Sequence, residues 1–476
     1  MTDPLSHPTN SILVRGGTVV TAEGRRRADV LCSGERIAAV GEGLQAPAGA
    51  EVVDAGGCLV LPGGVDPHTH MQLPTMGTVV ADDFLSGTAA AAAGGTTTIL
   101  DFAGPDRGEP PLEALARWQG WAERAAIDYS LHMTVSWWGE RFAAEMEQLV
   151  RERGITSFKF FTAYKGRMML SDEDLIAGFA RCRELGALPQ VHAENGDLVE
   201  YLQRKLAAEG VTGPRGHPLS RPPALEAEAT FRCITIAEAG GVPLYVVHVS
   251  AGGAAEAIAR ARRRGQRVVG ETLPGFLHID ASVYESPDFD FAAGHVMSPP
   301  YRPKEHQEAL WRALAEDGLS TTGTDHCCFT REQKRAGRGD FLRIPNGCGG
   351  VEQRMEALWH LGVGSGRLTP ERFVALTSTG AARAFNLWPR KGSLELGADA
   401  DLAVLDPART HRLSAEAQHQ RTDFSVWEGL EVKGAIVHTV ARGRHVWCDG
   451  DLRAVAGAGR FLPRRPFGPV YDGVLA

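Results

Sequence analysis

Residues 157–194 read SFKFFTAYKGRMMLSDEDLIAGFARCRELGALPQVHAE. The segment opens on Ser157–Ala163, an apolar and aromatic run with one charge, and closes on Leu188–His192, a second such run. Between them lies an amphipathic helical stretch ending at Gly186, where glycine accepts the left-handed conformation that closes a helix. Strand, helix and strand of this length form one βαβ unit, whose strands are parallel and buried on both faces.

The same unit recurs outward in both directions. Further strand-like runs are Cys58–Val65, Thr96–Phe102, Tyr129–Ser136, Leu244–Val249, Val268–Leu273 and Ser320–Thr324. Helical stretches separate them, several stopping at glycine: Gly94, Gly154, Gly240, Gly265 and Gly318. Eight strands alternating with helices predict a (β/α)8 TIM-like barrel over 58–390, with a doubly wound open sheet as the alternative. The two ends read differently. Residues 11–57 carry short strands at Leu13–Val20, Asp29–Cys32 and Ile37–Val40, broken by glycine turns. That style returns after Lys391, at Asp401–Leu405, Gly434–Arg442 and His445–Cys448. A smaller β-sandwich domain built from both chain ends, 1–57 and 391–459, is expected. Residues 460–476 contain Pro463, Pro466 and Pro469, which exclude a regular helix or central strand. They form an arm that either crosses to another subunit or frays.

Composition narrows the function classes. The chain has 476 residues, 43% hydrophobic and 23% charged, with a net charge of −8. No basic stripe appears, so nucleic acid is not an expected partner. Arg25–Arg27 and Arg262–Arg264 read as a solvated turn and helix face. There is no run of about 18 apolar residues to span a membrane. The start lacks a secretory pattern, and the eight scattered cysteines form no C-x-x-C pair. Reduced thiols in a cytoplasmic enzyme are the expectation. Adjacent Cys327 and Cys328 are assigned to packing.

In barrels of this kind chemistry sits at the carboxyl ends of the strands. The first ends in Asp66-Pro67-His68-Thr69-His70, and the fourth contains Lys159. The fifth ends in His192-Ala193-Glu194, the sixth in His248-Val249-Ser250, and the eighth in Thr324-Asp325-His326. Singly, each has an ordinary structural reading: an H-x-H is easily met among 16 histidines, and a lysine between phenylalanines can snorkel. Jointly, five strand ends carrying ligand-type residues point to a metal centre. Neutral imidazole and carboxylate suit zinc-like cations. Two close cations need a bridging anion. A neutral lysine amine that adds carbon dioxide supplies one as a carbamate, and burial among Phe158, Phe160 and Phe161 would favour the neutral amine.

On these segments the chain resembles the dihydropyrimidinase/D-hydantoinase branch of the amidohydrolase superfamily. The resemblance rests on GGVDPHTH (63–70), GGTTTILDF (94–102), SFKFFTAYK (157–165), QVHAENGD (190–197), LYVVHVS (244–250), VMSPPYRP (296–303), GTDHCCF (323–329), GRGDFLRIPNG (337–347) and KGSLELGADADLAVLDP (391–407). SWWGE (136–140), TGPRGHPLSRP (212–222) and FLPRRPF (461–467) lean towards the eukaryotic style of dihydropyrimidinase.

The resemblance implies a (β/α)8 barrel beside a β-sandwich, a homotetramer, and two Zn2+ per subunit. It places His68, His70 and Asp325 on the first metal, His192 and His248 on the second, and carbamylated Lys159 between them. It gives Tyr164 to the reacting carbonyl, Asp325 to proton transfer, and Ser298 and Asn346 to the ring amide. The implied reaction opens a dihydropyrimidine or a 5-substituted hydantoin to an N-carbamoyl amino acid. Another cyclic amide hydrolase, such as allantoinase or dihydroorotase, and a non-catalytic scaffold of the same fold are the alternatives. Three places depart from the family's common pattern: Thr75 stands where phenylalanine is common, Thr162 where methionine is common, and Gly275-Phe276 where Gln-Tyr is common. All three are expected to shape the substrate pocket.

Overall fold

The computed structural model describes residues 11–316 and 318–473. Its centre is an eight-stranded parallel sheet: Gly64–Thr69, Thr96–Ala103, Asp128–Thr134, Ser157–Phe161, Leu188–His192, Leu244–Val246, Val268–Thr272 and Thr321–Thr322. Each strand lies beside its predecessor, and a parallel bridge between Thr69 and His326 brings the eighth back to the first. A doubly wound sheet would reverse its order at a switch point. This one does not, and it is a barrel. Every residue of the first five strands is buried, because helices cover the outside and side chains fill the inside.

Gly186 closes the helix Asp172–Leu185 at φ 68°. A Cβ there would lie 2.4 Å from the Phe467 ring, so both conformation and space demand glycine. Two helix stops fall one residue later than read from sequence: the left-handed residues are Gly95 and Gly241, not Gly94 and Gly240.

The chain ends form two further sheets. One has the order 36–41, 29–33, 11–15, 51–54; the other runs 451–452, 444–448, 431–441, 402–412, 59–62, 18–20, 25–27. Val14, Val30, Val53, Val60, Leu402, Val404 and Val440 fill the space between them. Two predicted runs are split by this arrangement. Cys58–Val65 is not one barrel strand: Leu59–Pro62 pairs with Leu402–Leu405 in the sandwich, and the barrel begins at Gly64. Leu13–Val20 likewise divides at Gly16-Gly17 between the two sheets. Arg25–Arg27 is an exposed edge strand, not a turn; three arginines there discourage edge-to-edge pairing. Lys391 joins the two halves. Its ammonium is buried with the carboxylates of Asp128 (2.7 Å), Asp399 (3.0 Å) and Asp401 (2.6 Å).

The described part of the proline-containing arm, up to residue 473, packs against its own barrel. Leu462 donates its N–H to the Tyr129 carbonyl (2.7 Å) and Arg464 to that of Gly154 (2.9 Å). The Arg464 side chain is buried beneath the barrel. It donates to Ser130 Oγ (2.9 Å), Ser157 Oγ (2.8 Å) and the Leu131 carbonyl, all near the amino ends of the third and fourth strands. Burial pushes Arg464 down to about 9. All eight cysteines are free, and no helix among the described residues is long and apolar enough to cross a membrane.

Candidate active site

At the opposite mouth the strand ends meet. Asp325 Oδ1 lies 3.1 Å from His68 Nε2 and 3.0 Å from His70 Nε2. Lys159 Nζ is 2.8 Å from His68 Nε2. His192 Nδ1 and His248 Nε2 face each other at 2.9 Å. His68, His248 and Asp325 bring donor atoms within 4.8 Å of one another. Tyr164 packs its ring 5.0 Å from His192. Asn346 Nδ2 donates to Ser298 Oγ (3.0 Å), and Ser298 lies beside Tyr164. All nine predicted site residues thus gather in one connected cluster.

Supporting groups fix which atoms face inward. Glu271 Oε1 takes His68 Nδ1 at 2.7 Å, which turns Nε2 to the cavity. Glu194 Oε2 takes His192 Nε2 at 2.8 Å, which turns Nδ1 to the cavity, and Arg221 is ion-paired to the same oxygen. This carboxylate-behind-histidine arrangement is how proteins orient metal-binding imidazoles. The buried His70 Nδ1 has no protein partner among the described residues. The donor set fits divalent cations of the zinc class: imidazole nitrogens, a carboxylate and an amine able to become anionic.

Electrostatics agree with that chemistry except at His68, where, against burial and Lys159, Glu271 and Asp325 raise the imidazole above the ordinary histidine value. Burial pushes His70 down to about 4 and holds His192 and His248 below the ordinary histidine range, so they are neutral, as ligands must be. Burial would raise Asp325, but His68 and His70 beside it hold its carboxyl well below the usual range. Burial pushes Lys159 down to about 8, against the pull of Asp325 and Glu271. Burial pushes Tyr164 up to about 12, keeping it a donor at neutral pH.

The aromatic setting of Lys159 differs from expectation. Side chains alternate along a strand, so Phe158 and Phe160 point outward. Phe160 meets Phe179 at 5.2 Å. The ammonium lies instead over Phe102 (4.2 Å) and Phe161 (5.4 Å). Three non-glycine residues of the site have positive φ: Tyr164 at 65°, His248 at 39° and Asp325 at 50°. Such backbone costs on the order of 1–3 kcal/mol each and persists where surrounding contacts enforce it, commonly at functional sites.

The three departures from the family pattern do different things. Thr162 is a tie between two strand ends. Its buried hydroxyl donates to the carbonyls of His192 (3.1 Å) and Glu194 (2.8 Å), tying the fourth strand to the fifth. Phe276 packs edge-on against Tyr301 at 5.8 Å, inside the core. Thr75 lies in a two-stranded hairpin with Thr78, half-buried. Sequence reasoning missed Glu271, Arg221 and the role of Glu194. Glu271 had a signal, as the one charge in the apolar Val268–Leu273 run.

A cluster of this composition at the carboxyl end of a barrel defines a hydrolase of the metal-dependent type. The Amidohydrolase family model matches residues 59–446. Dihydropyrimidinase of Dictyostelium discoideum is 48% identical over 98% of this chain and 93% of its own. D-hydantoinase of Geobacillus stearothermophilus is 45% identical over 96% and 97%. The crystal structure of dihydropyrimidinase from Brevibacillus agri superposes with a TM-score of 0.94 at 44% identity, covering 96% of this chain and 99% of that one. The chain belongs to the amidohydrolase family, within its dihydropyrimidinase and D-hydantoinase branch.

Proposed function

We propose that this enzyme, a hydrolase of cyclic amide rings, works through a binuclear zinc centre and opens a 5,6-dihydropyrimidine or a 5-substituted hydantoin. The observation that carries this reading is the pairing of inward-facing imidazoles with carboxylates behind them, Glu271 on His68 and Glu194 on His192. A scaffold would have no use for such orientation. In this reading His68, His70 and Asp325 would hold one cation, His192 and His248 the other, and carbamylated Lys159 would supply the anionic ligand they share. The Lys159 amine, neutral in part near pH 8, forms an N–C bond to carbon dioxide and releases a proton.

Two such cations, when bound, supply an acidified water and polarise the ring carbonyl. The chain's own groups do the rest. Asp325, ionised, takes the proton of the attacking water and delivers it to the leaving ring nitrogen. Tyr164 donates its hydroxyl to the oxygen that gains charge. Ser298 and Asn346 hold the ring amide. The product is an N-carbamoyl amino acid. The family resemblance also points to a homotetramer, and the scattered thiols to a cytoplasmic location; native mass measurement and cell fractionation check these.

The test is ring opening by zinc-loaded protein of dihydrouracil beside a 5-aryl hydantoin, each with a chelated control. Metal-dependent opening of either supports the reading, and the preferred ring assigns the substrate. Metal-independent opening, or none with either ring, overturns it.

A further inference from the structure

A second cluster of ligand-type side chains lies outside the barrel, on the sandwich. His438, His445 and Cys448 place one donor atom each within 4.8 Å of the others. They share one face because of a register slip. His438 pairs with Cys448 across the hairpin, and Val440 pairs with His445; the bulge falls between Thr439 and Val440. Paired residues lie on the same face, as do positions two apart. Regular pairing would have set Val446 opposite Val440. The bulge sets His445 there instead, on the face of His438 and Cys448. Bulges commonly re-aim a side chain in this way.

The atoms are poised as ligands. His438 Nδ1 faces His445 Nε2 at 3.1 Å. Glu51, from the other sheet of the sandwich, takes His445 Nδ1 at 2.7 Å. That bond places the proton on Nδ1 and the lone pair on Nε2, the same support that Glu271 gives His68. Arg453, the cation nearest His438 in charge effect, is paired to Asp451 at 2.7 Å. His438 and Cys448 are half-buried and leave solvent access for an ion and a water ligand, while the His445 imidazole is 4% exposed.

A third cluster, Asp82, His326 and Cys328, is different in kind. There His326 Nε2 is held by Asp82 (3.0 Å), and Nδ1 accepts the Gly350 N–H (3.2 Å). Both ring nitrogens are used, and the histidine has no ligand atom left.

We propose that His438, His445 and Cys448 form a binding site for one borderline-soft divalent cation of the zinc class, with water as the fourth ligand. Two imidazoles and a thiolate select such ions over magnesium or calcium. Binding releases the Cys448 thiol proton. Through Glu51 the ion ties the four-stranded sheet to the seven-stranded one.

The experiment is titration of the as-purified holoenzyme with Co2+, read by the near-ultraviolet thiolate-to-cobalt charge-transfer band. The nitrogen and oxygen ligands of the barrel mouth give no such band. The expected result is a band saturating at one equivalent, retained in Cys327→Ser and Cys58→Ser, and lost in Cys448→Ser and His438→Gln. Glu51→Gln should weaken binding about 10–100-fold. Cobalt should raise the thermal midpoint of the wild type and not of Cys448→Ser, with ring opening unchanged in that variant. His438→Gln gives the same reading should Cys448→Ser fold poorly. No band in the wild type, or a band that survives Cys448→Ser and His438→Gln in folded protein, overturns the site.

Discussion

Glu271 Oε1 lies 2.7 Å from His68 Nδ1, and the same oxygen accepts the backbone N–H of His248 at 2.9 Å. One carboxylate therefore positions residues assigned to both metals. Its other oxygen accepts the Tyr245 hydroxyl at 2.7 Å, so the group is locked. Glu271→Gln keeps the shape and removes the charge. The expected outcome is a drop of about 10–100-fold in metal affinity or turnover, measured by metal content after dialysis and by kcat/KM. Retention of both at wild-type level would falsify the orienting role.

Asp325→Asn should abolish ring opening while leaving most metal bound, because four histidines and Lys159 remain. Metal analysis and turnover on the same sample check this. A variant that keeps a near-normal rate would assign the proton transfer to another group.

Tyr164→Phe removes one donor to the developing oxyanion. A loss of about 10²–10³ in kcat is expected, with a smaller change in KM. Because burial holds the phenol near 12, its ionisation should not limit kcat below about pH 11. An unchanged kcat in the variant removes Tyr164 from the mechanism.

Lys391→Met should destabilise the protein by about 3–5 kcal/mol, the usual consequence of breaking a buried ion pair from one side. In the wild type the ammonium is buried, yet the carboxylates of Asp401, Asp128 and Asp399 raise its pKa above the ordinary lysine value. That stabilisation is complete below the unfolded value of about 10.4 and is lost as pH rises through the folded one. The variant reverses the trend at the acid side. Asp399 keeps Arg36 and Arg390, and Asp128 keeps Arg442, but buried Asp401, already raised by burial, loses its lysine and is raised further, so the deficit should shrink as pH falls from 7 towards about 5. Thermal unfolding of both proteins at the two pH values measures it; a pH-independent deficit would point to lost packing instead.

The parts of this fold that were legible in the sequence are those fixed by local pattern. Buried parallel strands must be apolar throughout, so a lone Lys159 or His192 at a strand end stands out against its neighbours. Which sheet a strand joins is not local. Leu59–Pro62 and Gly64–Thr69 are both apolar runs, and only the pairing of Leu59 with Leu405 assigns the first to the sandwich. The same limit hid the setting of Lys159. Alternation turns Phe158 and Phe160 away, and the ring that covers the amine, Phe102, comes from a strand more than fifty residues earlier. Ligand residues were visible because their types are unusual in a core. Glu271 and Arg221 were not assigned because a single charge gives no hint of its partner until folding brings His68 or Glu194 to it.

The placement of Arg464 has a consequence for the order in which the molecule is made. Synthesis runs from the amino end, and domains often fold as they emerge. Here the residue that seals the floor of the barrel, bonded to Ser130 and Ser157, is translated some three hundred residues after the strands it closes. Until that segment is made, the hydroxyls of Ser130 and Ser157 lack the guanidinium that binds them, so the base of the barrel is completed only after the intervening sandwich strands have been synthesised.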